Sequence, residues 1–351
     1  MKKIVVSTEN PYEVRIGTGI IKELGRNLAE ILTCKTIFII SDEIVDKLYG
    51  EIAEDSIRSG GFSVSRYTFP GGEHGKNLGA VSEILEFLAE KGVTRSDCLV
   101  ALGGGITGDI TGFCAAVYQR GMDFVQVPTT LLAAVDSSVG GKTGVNLGAG
   151  KNLAGAFWQQ RFVQIDTDLL KTLPDTVFAD GVAEIIKYGV LEDKALFDVM
   201  KTGSFNLVDV IGKCVEIKAK YVAVDERDRG ERQKLNLGHT FGHAVEKASE
   251  YSVSHGSAVA IGMVMAAKAA KILGVSEGDL SEEICAVLSQ NGLPVKTDVP
   301  PEELLPAMEK DKKREGDEVK LILPIRIGEC IIKSITAAEL EPLLKEVCKW
   351  K

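Results

Sequence analysis

Cys98-Leu99-Val100-Ala101-Leu102-Gly103-Gly104-Gly105-Ile106-Thr107-Gly108-Asp109 is the stretch whose reading decides the fold. An apolar run of strand length ends in a turn where Gly103, Gly105 and Gly108 fit the spacing G-x-G-x-x-G, and a helix is expected next. Glycines at such a turn let backbone N–H groups approach a pyrophosphate, and the positive end of the helix dipole favours the anion. A tight strand-to-helix turn that binds nothing has the same pattern, so this match alone is weak. It also follows several βα units where the usual dinucleotide fold would open with it. A ribose-binding carboxylate is then not simply found about 20 residues onward. Asp123 stands there but equally begins a strand, whereas Asp42 closes the apolar run 36–40, at the carboxyl end where sheet ligands bind.

Outward from this turn, the first half alternates strands with helices. Residues 3–7 and 12–16, joined by Glu9-Asn10-Pro11, predict a hairpin. Residues 36–40 predict a strand running into a helix capped at Ser41-Asp42-Glu43, and 62–69 a strand ending at Pro70-Gly71-Gly72-Glu73. Over 77–91, Val81, Ile84, Leu85 and Leu88 share a helical face, and 124–127 predict a further strand before Pro128-Thr129-Thr130. From about residue 178 the apolar spacing becomes 3.6 residues over 183–188, 207–224, 240–251, 258–273 and 281–290. Strand signals return only at 320–323 and 331–335, which can pair. The expectation is an α/β domain with a Rossmann-like parallel sheet over 1–177 and a mainly α-helical domain over 178–351.

A chain of 351 residues exceeds one ordinary core, in agreement with two domains. Apolar residues make up 45% and charged residues 26%, a globular balance that excludes disordered and fibrous classes. A net charge of −9 argues against general nucleic-acid affinity, so an anionic substrate would need lysines and arginines gathered locally. The start, Met1-Lys2-Lys3-Ile4-Val5-Val6-Ser7, turns polar too soon for a signal peptide, and no apolar run is long enough for a membrane span. The seven cysteines are scattered without a Cys-x-x-Cys pair and read as small core residues of a cytoplasmic protein.

Three of the four histidines, His239, His243 and His255, lie within 17 residues. His239 and His243 stand at i and i+4, on one helical face. Two imidazoles on one face with a third after a short loop can converge on a metal, zinc being suited to imidazole nitrogen and often to one carboxylate. Glu184 is a charge inside an apolar helix and needs a partner. The plainer alternative makes the histidines capping or surface residues and pairs Glu184 with Lys187 or Lys218. Spacing alone does not say which histidine is a ligand and which an acid or base. Lys142, Lys151, Lys187, Lys218 and Arg232 stand beside glycine or apolar sequence. Gly140-Gly141-Lys142-Thr143-Gly144 and Gly150-Lys151-Asn152 read as loops that present an ammonium to an anion. Any one of them is more often an ordinary solvated lysine, but together they suit a substrate carrying carboxylate and phosphate.

Taken together these segments resemble 3-dehydroquinate synthases along nearly the whole chain. The specific pieces are 103–109, Tyr118-Gln119-Arg120-Gly121, Pro128-Thr129-Thr130-Leu131-Leu132-Ala133, 136–144, and Gly150-Lys151-Asn152. Further on come Ala183-Glu184-Ile185-Ile186-Lys187, 236–243 and Ser254-His255-Gly256. The resemblance implies an N-terminal NAD-binding domain, a C-terminal metal-binding domain and a site in the cleft between them. It implies Glu184, His239 and His255 as Zn2+ ligands, with Co2+ as a substitute, and His243 as a histidine that supports the ligands or transfers a proton. Catalytic roles fall to His243, Lys142, Glu184 and Asp136. Substrate contacts fall to Arg120, Lys142, Lys151, Asn152, Lys187, Lys218, Arg232, Asn236 and His243, with one more lysine from Asp311-Lys312-Lys313. NAD contacts fall to Asp42, Gly71, Gly72, Glu73, Lys76, Gly104, Gly105, Ile106, Thr107, Gly108, Asp109, Thr129, Thr130, Lys142, Lys151, Leu169 and Thr172. His74-Gly75 departs from the family pattern.

The implied reaction converts 3-deoxy-D-arabino-heptulosonate 7-phosphate to 3-dehydroquinate and phosphate. It runs through transient oxidation by NAD+, phosphate elimination, re-reduction and aldol closure, and it is a lyase reaction because NAD+ is regenerated. A homodimer is implied as well, with no nucleic-acid or membrane partner. Three other readings remain: a related sugar phosphate cyclase, a metal-dependent polyol dehydrogenase, and a non-catalytic binding or scaffold protein. Lys218, Arg232 and Asn236 speak against the first, because the resemblance assigns them to the acid substrate. The loop lysines would lack a role in the second, and metal bound at stoichiometry would exclude the third.

Overall fold

The structure is a computed structural model that describes residues 1–312 and 318–350, with backbone only for 309–312. Contacts divide it into two compact units, Met1–Leu173 with Lys218–Arg227, and Pro174–Ile217 with Asp228–Lys351. The sequence suggests a single cut after residue 177. The cut instead falls after Leu173, and 218–227 count with the first unit. Lys218 shows one reason: its Nζ lies 2.8 Å from the Asp136 carbonyl oxygen and 3.0 Å from Asp136 Oδ1.

The first unit runs β1 (Lys2–Val6), β2 (Tyr12–Gly17), α1 (Leu24–Ala29), β3 (Thr36–Asp42), α2 (Glu43–Val45), α3 (Glu51–Ser59) and β4 (Ser63–Phe69). It continues with α4 (Leu78–Glu90), β5 (Cys98–Gly103), α5 (Gly105–Val117), β6 (Asp123–Pro128), β7 (Lys142–Leu147), β8 (Gly150–Phe157) and β9 (Phe162–Asp166). Seven strands form one sheet in the order β1-β2-β9-β6-β5-β3-β4, antiparallel only between β1 and β2. Apolar residues alternate across β3: Ile37 and Ile39 join a core with Leu24, Leu28 and Ile57, while Phe38 and Ile40 join one with Val81, Ile84 and Ile110. Helices therefore cover both faces, which is why the strands read as unbroken apolar runs.

The order places a switch point between β3 and β5. From β3 the chain moves outward to β4, and from β5 it moves the other way to β6. Loops diverge at such a point and leave a crevice at the carboxyl ends of the strands, where ligands of α/β sheets bind. Asp42 and the Gly103–Gly105 turn both stand there.

Two sequence expectations need correction. The stretches around Lys142 and Lys151 are not loops but an antiparallel hairpin, β7 against β8. Gly144 and Gly155 pair within it, and their backbones approach so closely that a Cβ on Gly155 would lie 2.2 Å from the Thr143 carbonyl oxygen. Glycine content hid the strands. The second omission is β9, which slots between β2 and β6.

The second unit begins with α6 (Asp175–Leu191) and α7 (Lys194–Met200), and α8 (Leu207–Val224) passes from it into the first unit. It then holds α9 (His239–Ala248), α10 (His255–Ile272), α11 (Ser281–Gln290) and α12 (Pro301–Lys312). Strands β10 (Glu318–Arg326) and β11 (Glu329–Thr336) form the expected antiparallel hairpin, and α13 (Ala337–Val347) follows. Among the described residues no helix is long and apolar enough to cross a membrane. All seven cysteines are free, and Cys98, Cys114, Cys214 and Cys330 are buried.

Candidate functional site

Three glycines bring the histidines together. Gly238 precedes α9 in the left-handed region (φ 78°), where a side chain would be strained. Gly262 of α10 packs on it so closely that a Cβ would lie 1.9 Å from the Gly238 carbonyl oxygen. One turn on, a Cβ on Gly242 would lie 2.9 Å from the Ala258 carbonyl oxygen. Helices without side chains at their crossing approach to backbone contact. The rings of His239 and His243 on α9 and of His255 at the start of α10 then lie with centroids 5.3–6.1 Å apart.

Helix α6 supplies the other half. Asp180 Oδ1 accepts from Ser254 Oγ at 2.6 Å and from Gly256 N at 3.0 Å, capping the start of α10 from outside the helix. One turn later on α6, Glu184 turns a buried carboxylate to the imidazoles. Its Oε1 lies 3.6 Å from His239 Nε2 and 3.5 Å from His255 Nε2. Lys187 Nζ, also buried, lies 2.6 Å from Glu184 Oε2. Of the two partners the sequence allowed for Glu184, the structure places Lys187 there, while Lys218 faces Asp136 in the first unit.

This donor set fits a metal ion. A tetrahedral zinc with bonds of about 2.0–2.1 Å separates its ligand atoms by about 3.4 Å. The observed 3.5–3.6 Å separations leave that space between carboxylate and imidazoles. The other ring nitrogens are engaged: His239 Nδ1 donates to the Leu237 carbonyl oxygen at 3.1 Å, which directs Nε2 toward Glu184. Burial pushes the His239 imidazole down to about 3, so it is the neutral form that faces the carboxylate. Burial also disfavours charge on His255, but hydrogen bonds to Glu184 and Glu246 outweigh it and raise the ring to about 10. Among the described residues two groups bring ligand atoms within 4.8 Å of one another, Glu184–His239–His255 and His243–Glu246–His255.

Other expected residues of this unit lie close in sequence and structure. Buried Arg232 and half-buried Asn236 share the 3-10 turn Glu231–Asn236. Asn236 and Thr240, the neighbour of His239, line a cavity of about 230 Å³ with Asp228, Gln233, Lys320 and Ile322. Lys320, whose Nζ lies 3.2 Å from Gln233 Oε1, was not among the expected site residues. Neither were Asp180 and Glu246, although a signal existed for both. Asp180 precedes Glu184 by one turn, and Glu246 completes an i, i+4, i+7 face with His239 and His243. The lysine expected from Asp311-Lys312-Lys313 lies outside the described residues.

In the first unit the glycine-rich turn is built for close approach. Gly104, without a side-chain cap bond, opens α5, so its first N–H groups point toward the strand ends. A Cβ on Gly103 would strike Thr107 at 2.3 Å and one on Gly108 would meet Gln126 Oε1 at 2.5 Å, so each glycine fits its own neighbour. Asp42 Oδ1 accepts from Ile44 N and Val45 N at 3.0 Å, while Thr107 Oγ1 donates to Asp42 Oδ2 at 3.4 Å. Gly71 passes beside Asp42, where a Cβ would lie 3.3 Å from Asp42 Cβ. Lys76 Nζ lies 2.6 Å from both Asp109 Oδ2 and Asn152 Oδ1, which draws the 71–76 loop, α5 and the hairpin together. Burial raises the Asp109 carboxyl, with the Lys76 ammonium opposing. Asn146 Nδ2 donates to Glu73 Oε1 at 2.7 Å. Thr129 N donates to the Gly103 carbonyl oxygen at 3.0 Å, setting Thr129 and Thr130 beside the turn. Tyr49 Oη gathers Leu169 and Thr172, 3.1 Å from the Leu169 carbonyl oxygen and 2.6 Å from Thr172 Oγ1. Arg120, exposed in the 3-10 turn Tyr118–Arg120 that follows α5, has a left-handed backbone (φ 67°).

Comparison with known proteins decides the family. The model of the 3-dehydroquinate synthase N-terminal part matches residues 66–180, and that of the C-terminal part matches 181–314. A 3-dehydroquinate synthase of Alkaliphilus metalliredigens (strain QYMF) is 42% identical over 355 residues, 98% of each chain. The chain belongs to the 3-dehydroquinate synthase family. Solved structures agree in fold. A 2-deoxy-scyllo-inosose synthase complexed with carbaglucose-6-phosphate, NAD+ and Co2+ aligns with TM-score 0.88 and 25% identity, covering 98% of this chain and 99% of that one. ValA, a 2-epi-5-epi-valiolone synthase from Streptomyces hygroscopicus subsp. jinggangensis 5008 with NAD+ and Zn2+ bound, gives TM-score 0.87 and 26% identity over 96% and 97%. As a member of the 3-dehydroquinate synthase family the chain is an enzyme of the lyase class, and the α/β and helical architecture expected from sequence is the one found.

Proposed function

We propose that the chain converts 3-deoxy-D-arabino-heptulosonate 7-phosphate to 3-dehydroquinate and phosphate, a step of aromatic amino acid biosynthesis, with NAD+ and Zn2+ as cofactors and Co2+ as a substitute. The observation that carries this reading is the convergence of Glu184, His239 and His255, in a chain 42% identical to a 3-dehydroquinate synthase along 98% of its length. The first unit is the NAD-binding domain and the second the metal- and substrate-binding domain, and the enzyme works as a cytoplasmic homodimer. In this reading Glu184, His239 and His255 hold the ion, and the crevice at the carboxyl ends of β3 and β5 holds NAD+. When bound, NAD+ accepts and returns a hydride, and the divalent ion polarises the substrate oxygens it holds.

The remaining work belongs to side chains. Lys187 Nζ lies 2.6 Å from Glu184 Oε2 and so holds that carboxylate in place beside the imidazoles. Arg232 offers the substrate carboxylate a planar fork with two parallel N–H donors, and Asn236 adds an amide beside it. Lys142, Lys151 and Asn152 on the β7–β8 hairpin bind the phosphate together with Arg120, and Lys218 stands beside Asp136 as a further cation. His243 is exposed on the α9 face that carries His239 and takes the hydroxyl proton.

The test incubates the purified protein with the heptulosonate phosphate and NAD+, with and without a chelator, and follows phosphate and NADH together. Phosphate release without net NADH, abolished by the chelator, is the expected result. Accumulating NADH would instead indicate a dehydrogenase, and intact substrate would remove the reading altogether.

A further inference from the structure

Both imidazoles that face Glu184 have the second ring nitrogen held by an oxygen, but the two oxygens differ. For His239 it is the neutral Leu237 carbonyl, 3.1 Å from Nδ1. For His255 it is a carboxylate: Glu246 Oε2 lies 3.4 Å from Nδ1. Glu246 stands on the α9 face of His239 and His243 and is 4% exposed. A carboxylate so far out of water is costly to bury and is retained where it holds a cation or a donor. Its place in the fold is set by the same glycine crossing that aligns α9 with α10, so it meets the His255 ring from the side opposite Glu184. His255 thus bridges two carboxylates, Nε2 toward Glu184 at 3.5 Å and Nδ1 toward Glu246 at 3.4 Å.

We propose that Glu246 is a positioning residue of the metal centre: its carboxylate accepts from His255 Nδ1–H and so presents Nε2 to the ion as a fixed, electron-rich donor. The inference rests on the proposed metal site and goes beyond its three ligands. A carboxylate on the far nitrogen fixes the tautomer, stops the ring from rotating and makes the near nitrogen more basic than a carbonyl partner would. The two histidines would then be unequal donors, His255 the stronger.

The test measures Zn2+ affinity of the full chain by competition with a chromophoric chelator, and the visible absorption of the Co2+-loaded protein, for wild type, Glu246→Ala and Glu246→Gln. Glu246→Ala is expected to weaken Zn2+ about 10–100-fold and to shift the cobalt bands. Glu246→Gln keeps an accepting oxygen without the charge, so it should restore part of the affinity and shift the bands less. Glu246→Gln preserves volume and decides the matter if the alanine variant does not fold. Wild-type affinity and superimposable cobalt spectra in the folded variants would overturn the role of Glu246. Failure of the wild-type chain to bind Zn2+ would overturn the metal-site reading itself, a different result.

Discussion

Glu184 shows how much chemistry one buried group concentrates. Within a helix whose other residues from Gly181 to Leu191 are also buried, its carboxylate meets an ammonium at 2.6 Å and two imidazole nitrogens at 3.5–3.6 Å. Removing one partner of such a set leaves the others uncompensated, so substitutions here reach beyond the atom deleted. His255→Ala should lose more than about 100-fold in Zn2+ affinity, beyond the effect of removing a supporting partner, and all measurable turnover. Circular dichroism should change little, and full activity in that variant would take His255 out of the ligand set. Arg232→Lys keeps the charge but loses the fork, so KM for the heptulosonate phosphate should rise while bound Zn2+ stays at wild-type level; an unchanged KM would contradict carboxylate recognition. At this scale the cluster was legible because a charge in an apolar helix and histidines at i, i+4 both violate the local pattern, while the choice of Glu184, His239 and His255 as proposed ligands came from the family resemblance. Glu246 and Asp180 carry only the weaker signal of helical spacing from His239, His243 and Glu184, and the fold reveals what they hold.

Among the elements, the crossing of α9 and α10 and the turn before α5 matter most. Gly262→Ala puts a methyl 1.9 Å from the Gly238 carbonyl oxygen, so the helices must move apart. We expect a stability loss of about 1–3 kcal/mol in denaturant unfolding, with weaker Zn2+ binding because the imidazoles follow the helices. Wild-type stability and metal affinity together would show that the close crossing is not what aligns the site. Gly104→Ala meets Thr130 Cγ2 at 2.9 Å beside the proposed pyrophosphate site. NAD+ binding measured by calorimetry should weaken about tenfold, the equivalent of ~1.4 kcal/mol, while Zn2+ binding stays unchanged. Glycines also account for the main misreading at this scale. In Gly140–Gly144 and Gly150–Asn152 they read as loop signals, yet Gly144 and Gly155 are there to let β7 and β8 pair at close range. Composition does not separate a glycine needed for a turn from one needed for backbone contact.

For the whole molecule, the change from alternating to helical patterning predicted the two architectures, because periodicity is local and survives in sequence. Strand order and the exchange of chain between units are not local. Insertion of β9 between β2 and β6, and the return of 218–227 to the first unit, depend on pairings more than a hundred residues apart for β2 with β9 and more than eighty for Lys218 with Asp136. The proposed homodimer is a claim at this scale: light scattering coupled to size exclusion should give about twice the 37.7 kDa of one chain, and a monomer mass throughout active fractions would contradict it. The account as a whole rests on one carboxylate and two imidazoles gripping a divalent ion. Anomalous diffraction at the zinc edge, from crystals of the Zn2+-loaded protein, tests this most directly. The account predicts a peak about 2.0–2.2 Å from a Glu184 carboxylate oxygen and from Nε2 of both His239 and His255. A peak elsewhere, with none between these three side chains, would contradict it.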